Sequence, residues 1–205
     1  MIAIKLFNEI TKLVKLKIIF YKSRHKEPVI RSEEQLFLQA KILNEIVQIF
    51  KVIGVPPLVT DGVVLGYLRE GDFIKWDPDV DFFIDLKNAT NNKDRLIDLL
   101  LKKEFKIISV NNNFETWKIR AVKCNYFVEI RAWSIKDNYW SRHDLTGRHY
   151  LVPTHFFSET RVANLRGVKF LVPSETTDYL KYMYGDWQTP IQSNNYDQFT
   201  NMKFR

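Results

Sequence analysis

Cysteine is nearly absent from this chain: Cys124 is the single one in 205 residues. One thiol excludes an internal disulfide and a metal site built on cysteines, and nothing points to an oxidising compartment. Uninterrupted apolar runs are missing as well. The amino-terminal stretch is broken by Lys5, Glu9, Lys12, Lys15 and Lys17, so it has the form neither of a signal peptide nor of a membrane span. Histidines 25, 143, 149 and 155 show no metal-ligand spacing. Internal repeats and low-complexity linkers are lacking, which argues against a solenoid or a string of modules. The expectation from these absences is a cytoplasmic protein.

What the chain does have is a core. An apolar fraction of 45% with 14% aromatic residues argues for a folded domain, and 205 residues suit one domain better than two. A net charge of +7 and a pI near 9.3 call for an anionic partner: nucleic acid, a membrane surface or a phosphorylated substrate. The lysines are dispersed and no DNA- or RNA-recognition motif is visible, so nucleic acid is set aside. Ala3, Leu6, Phe7, Ile10, Leu13 and Val14 recur at helical spacing among lysines. Residues 1–24 therefore predict a basic amphipathic helix. It either docks on the domain or makes peripheral contact with an anionic membrane, which would be the inner face. Residues 25–190 hold the main domain, and the Asn-rich residues 191–205 are expected to be a loosely ordered tail.

Within the domain, Ser32 and Gln35 form a capping box, Leu36, Ala40, Leu43, Val47 and Phe50 make a buried helical stripe, and Gly54 is placed to end it. VPPLVT leads into a first strand, and Asp94 to Glu104 has helical spacing. Strands are expected at Phe105 to Val110, Glu115 to Lys123 and Tyr126 to Trp133, while SRHDLTGRHY, with His143 and His149, reads as a turn-like basic segment. The mixture predicts a single α+β domain with a mixed sheet flanked by helices.

The most informative stretch is GYLREGDFIKWDPDVDFFID, Gly66 to Asp85. Strand alternation sends Val80, Phe82 and Ile84 into the core and gathers Asp77, Asp79 and Asp81 on the opposite face. Clustered carboxylates repel, and a hard divalent cation with oxygen ligands, Mg²⁺ or Mn²⁺, is the simplest way to keep them ionised. The plain alternative is a solvated edge strand. Pro78 marks a strand start or bulge and makes Asp77 the less secure ligand. Asp85 is expected to lie beyond the strand. A further carboxylate comes from Glu129 in CNYFVEIRAW, which either completes the metal site or pairs with Arg120 or Arg131. Asp61 is a candidate for orienting the turn at Gly62.

Gly62 and Gly66 would let backbone approach a phosphate, and Arg69 would add a charge-assisted contact. Arg148, in the basic segment, either lies on the surface or holds an anionic substrate group, and Trp76 and Tyr67 either stack on a base or pack the core. Gly62, Leu65, Gly66, Arg69, Gly71, Phe73, Ile74, Trp76, Asp77, Asp79 and Asp81 together resemble the G-x-x-L-G-x-x-R and W-D-x-D-apolar-D pattern of the LicD/fukutin family of phosphotransferases, a branch of the nucleotidyltransferase-fold superfamily. GVKFLVPSETTDYLKYMYGDWQTP resembles that family's closing segment, so the likeness runs from about Val59 to Pro190. Tyr67, Lys75 and Pro78 depart from the usual pattern.

The resemblance implies a nucleotidyltransferase-like catalytic domain over 25–190. It also implies transfer of a phospho-substituent such as phosphocholine or a polyol phosphate from a CDP-linked donor to a glycan hydroxyl. Asp79, Asp81 and Glu129 would be catalytic, Asp77 would join them around the metal, and Gly62, Gly66, Arg69, Trp76 and Arg148 would contact substrate. Two alternatives remain: attack on an NTP with pyrophosphate release, and a non-catalytic nucleotide-binding module.

Overall fold

Helix α1 (Glu33–Ile53) starts where its cap predicts. Ser32 Oγ accepts the Gln35 N–H at 3.4 Å, and Gln35 Oε1 accepts the Ser32 N–H at 2.9 Å. It stops at Gly54, whose φ of 72° is left-handed and costs glycine little. All five residues of the expected stripe are buried. The computed structural model describes residues 29–89, 91–113, 116–143 and 149–192. The amphipathic stretch 1–24, Arg148 and the tail from residue 193 lie outside the described residues.

After α1 come β1 (Leu58–Thr60), α2 (Asp61–Arg69), β2 (Asp79–Asp85), α3 (Leu86–Ala89), α4 (Lys93–Lys102), β3 (Lys106–Asn113), β4 (Thr116–Lys123) and β5 (Tyr126–Lys136). Then follow β6 (Tyr139–His143), β7 (His149–Pro153), a 3-10 turn (Thr154–Phe157), β8 (Thr160–Leu165), β9 (Val168–Pro173) and α5 (Thr176–Tyr184). The described strands join in the order β3-β4-β5-β2-β1-β9-β8, with β6 on β5 and β7 on β6. Two pairings are parallel, β2 with β5 and β1 with β9, and the rest are antiparallel. This is the mixed α+β architecture expected. Among the described residues no helix is long and apolar enough to cross a membrane.

The two faces of β2 position the site. Val80, Phe82 and Ile84 turn toward α1, where Phe82 stacks on Phe50 with ring centroids 5.1 Å apart. On the other face Phe83 stacks on Phe157 at 5.0 Å and meets Trp140 edge-on at 4.7 Å. The hairpin β6–β7 and the 3-10 turn thus cover the far end of the acid-bearing face.

Two expectations are corrected. Asp85 is the last residue of β2, paired with Trp133, and its Oδ1 accepts the Lys87 N–H at 3.0 Å to start α3. The ends of SRHDLTGRHY are strands, with Ser141 opposite Leu151, Arg142 opposite Tyr150 and His143 opposite His149. Burial of Trp140, Leu151 and Val152 at alternating and neighbouring positions drives that pairing, and a polar-rich sequence conceals it.

Candidate active site

Strand register assembles the site. Parallel pairing sets Asp81 opposite Glu129 and Phe83 opposite Arg131, while β1 sets Thr60 opposite Asp81. Partners in register share a face, as do residues two apart, so Asp81, Glu129 and Arg131 converge as the sequence implied for the two acids. The first residue of α2, Asp61, enters from the end of β1 with a φ of 55°.

Arg131 sits at the centre. Its Nη2 lies 2.9 Å from Asp81 Oδ1 and 2.8 Å from Glu129 Oε2, its Nε donates to Glu129 Oε2 at 3.1 Å, and its Nη1 donates to Asp61 Oδ2. Glu129 is 1% exposed, also accepts from Arg120 Nε, and stands 3.6 Å from Lys118 Nζ. Pairing of Glu129 with Arg120 and Arg131, one of its two sequence readings, is therefore present. Glu129 thus faces three cations and holds the Arg131 guanidinium in place. Strand alternation from Glu129, two residues before it, is the signal that could have placed Arg131 on this face.

Asp77 precedes the strand and folds back on it, with Oδ1 accepting the Asp79 N–H at 3.1 Å. Gln39 of α1 donates to the Asp77 carbonyl at 3.0 Å. A Cβ at Gly62 would lie 1.9 Å from Asp77 Oδ2, so the glycine admits this carboxyl. A Cβ at Gly66 would come within 2.5 Å of the Asp72 carbonyl and 2.9 Å of the Ile74 nitrogen. Gly66 is buried inside α2, and its missing side chain makes room for the chain itself.

The remaining expected contacts are structural as they stand. Arg69 bonds Glu70 at 2.9 Å and donates to the Trp187 carbonyl at 3.3 Å, tying α2 to the segment after α5. Trp76 is half-buried against the core. Tyr67 meets Phe170 edge-on and its hydroxyl accepts from Arg161 at 3.2 Å.

Charge on this face is poorly matched to its burial. Burial and then the neighbouring Asp81 push the Asp77 carboxyl up to about 7, against the pull of the Asp79 amide. Burial also raises Asp81 well above the usual carboxylate range although Arg131 opposes it. On the basic side burial brings Lys118 down to about 8 and Arg142 down to about 10.

Oxygen donors of this type suit Mg²⁺ or Mn²⁺. Among the described residues no three His, Cys, Asp or Glu side chains form a ready-made metal cluster, and the Arg131 guanidinium fills the space between Asp61, Asp81 and Glu129. The fit is on the Asp77 side: these buried acids repel one another, and an added cation would relieve that cost. Beside Asp61 and Arg131 opens a pocket of about 280 Å³, mouth included, walled by Phe83, Trp133, Phe157 and Tyr179.

An acid-bearing strand in the middle of a mixed sheet, with a partner carboxylate one strand away, defines a nucleotidyltransferase-type domain. The family model described as LicD/FKTN/FKRP, nucleotidyltransferase domain, matches residues 54–175, and the chain belongs to the LicD family. No curated protein matches it. Among solved structures, the solution structure of the antibiotic-resistance factor ANT(2'')-Ia is similar, with a TM-score of 0.49 and 12% identity over 80% of this chain and 82% of that one.

Proposed function

We propose that the chain transfers a phospho-substituent from a CDP-linked donor to a glycan hydroxyl. The observation that carries this reading is the register pairing of Asp81 with Glu129 on a buried face within the LicD-matching segment. The hydroxyl oxygen attacks the phosphorus next to the head group, a new P–O bond forms, CMP departs with the electrons of the broken one, and the hydroxyl proton is released to water. Asp79 and Asp81, with Asp77, would hold Mg²⁺ or Mn²⁺, which when bound supplies neutralising charge to the diphosphate. Glu129 anchors Arg131, and Arg131 orients the Asp81 carboxylate and brings a fixed positive charge beside the reacting phosphates.

The test is release of CMP from CDP-ribitol or CDP-choline, with Mg²⁺ and with EDTA, over a panel of glycan acceptors. Asp79→Asn is expected to lower turnover at least a hundredfold while the melting temperature stays within a few degrees. A folded Asp79→Asn protein with near wild-type turnover refutes the assignment. The family model's description as a nucleotidyltransferase domain favours one second reading, attack on an NTP. Pyrophosphate in place of CMP among the products selects it.

A further inference from the structure

The face that holds the acids carries a second, oppositely charged cluster. Lys118 on β4 is the register partner of Arg131 on β5. On β6, Ser141 pairs with Ser134, and continuing that register one place sets Arg142 beside Trp133, two residues beyond Arg131. Lys118, Arg131 and Arg142 therefore point the same way from three neighbouring strands. Arg120, opposite Glu129, adjoins them.

The ion pairs on this face do not use these cations evenly. Lys118, Arg120 and Arg131 all draw on Glu129, and Arg131 also takes Asp61 and Asp81. Arg142 enters no ion pair among the described residues. Its guanidinium is gripped instead between two rings, with the Tyr150 centroid 3.9 Å and the Trp133 centroid 5.0 Å away. Its Nε is buried and has no hydrogen-bond partner among the described residues. Ring stacking satisfies the guanidinium's faces and leaves its in-plane N–H groups to an acceptor. A buried donor left unmade is costly, and oxygens of an anion are the acceptors that also answer the surplus charge.

We propose that Lys118 and Arg142, flanking Arg131, form a binding site for a phosphate group. The occupant is either the diphosphate of the donor or a phosphate carried by the acceptor. Its place in a transfer reaction rests on the function proposed above, but phosphate binding itself needs neither metal nor turnover.

The experiment is calorimetric titration of inorganic phosphate into the full chain in EDTA, at low ionic strength. Wild type is expected to bind saturably, Arg142→Gln and Lys118→Gln each at least tenfold more weakly, and Lys169→Gln, an exposed cation on β9, unchanged. Absence of saturable binding by wild type overturns the proposal, as does equal affinity in a folded Lys118→Gln protein. Lys118→Gln is decisive where Arg142→Gln fails to fold. Repeating the titration with Mg²⁺ and CDP-ribitol tells the sources apart. Displacement of phosphate assigns the site to the donor, and simultaneous binding assigns it to the acceptor. Phosphate binding that survives in a protein releasing no CMP from any donor leaves the anion site standing and removes the transferase reading.

Discussion

The two faces of β2 solve different problems with the same seven residues. On the face toward α1, Val80, Phe82 and Ile84 are sealed by apolar packing that demands a volume but no particular partner atom. On the other, Asp81 stands in a field set by Asp61, Glu129 and Arg131, where each charge depends on an atom at the right distance. The apolar face fixes the register, since a slip of one residue would send the acids into the core. The charged face then inherits its geometry from that register.

Breaking the first face should have the largest effect. Phe82→Ala removes a fully buried ring and its stack on Phe50, at a cost of about 3–5 kcal/mol, read as a lower midpoint in urea. Arg131→Met attacks the second face by stripping the counter-charge from Asp61 and Asp81. The expected loss is about 3–4 kcal/mol because the acids remain behind in a buried site. If Arg131→Met proves nearly neutral in denaturation, water reaches that face far more freely than its burial indicates. Gly62→Ala lies where the faces are joined: the new methyl would meet Asp77 Oδ2, so about 1–3 kcal/mol is expected, with Asp77 forced from its place. An unchanged melting temperature for Gly62→Ala would show that Asp77 moves aside easily.

The smallest effect lies away from both faces. Asp72 is held below the usual carboxylate range by its hydrogen bond with Arg166, which also pairs with Glu33 at 2.8 Å. Because its folded pKa is depressed, the stability it adds is complete above the unfolded value of about 3.9 and is lost as pH falls through the folded one. Asp72→Asn is therefore expected to flatten the acid end of the stability profile slightly while leaving the slope between pH 6 and 8 untouched, by urea titration across pH.

Local signals were the legible ones. The Ser32–Gln35 cap, the Gly54 stop and the buried stripe of α1 depend on residues a few places apart, and they stand as the sequence predicts. Asp81 and Glu129 were also legible, since each lies in a strand of evident alternation. Arg131 was harder: its role depends on α2, β2 and β5 meeting, and a sequence presents it only as one more cation near Glu129. The packing role of Gly66 was hidden for a similar reason. Its lack of a side chain answers to the backbone at Asp72 and Ile74, a contact that no spacing rule announces. The β6–β7 hairpin was hidden by a run of polar and basic residues whose few apolar members do all the packing.

The short strand β1 has one further consequence, for the order in which the molecule is built. Its three residues lie between β2 on one side and β9 on the other, so a segment made early waits for one made more than a hundred residues later. During synthesis the acid-bearing strand can pair with β5 while the far edge of β1 stays open. A nascent chain stalled before Val168 would present that edge as a template for other strands. The last hairpin is thus a closing clasp, and the interval before it arrives is when this chain is most exposed to aggregation.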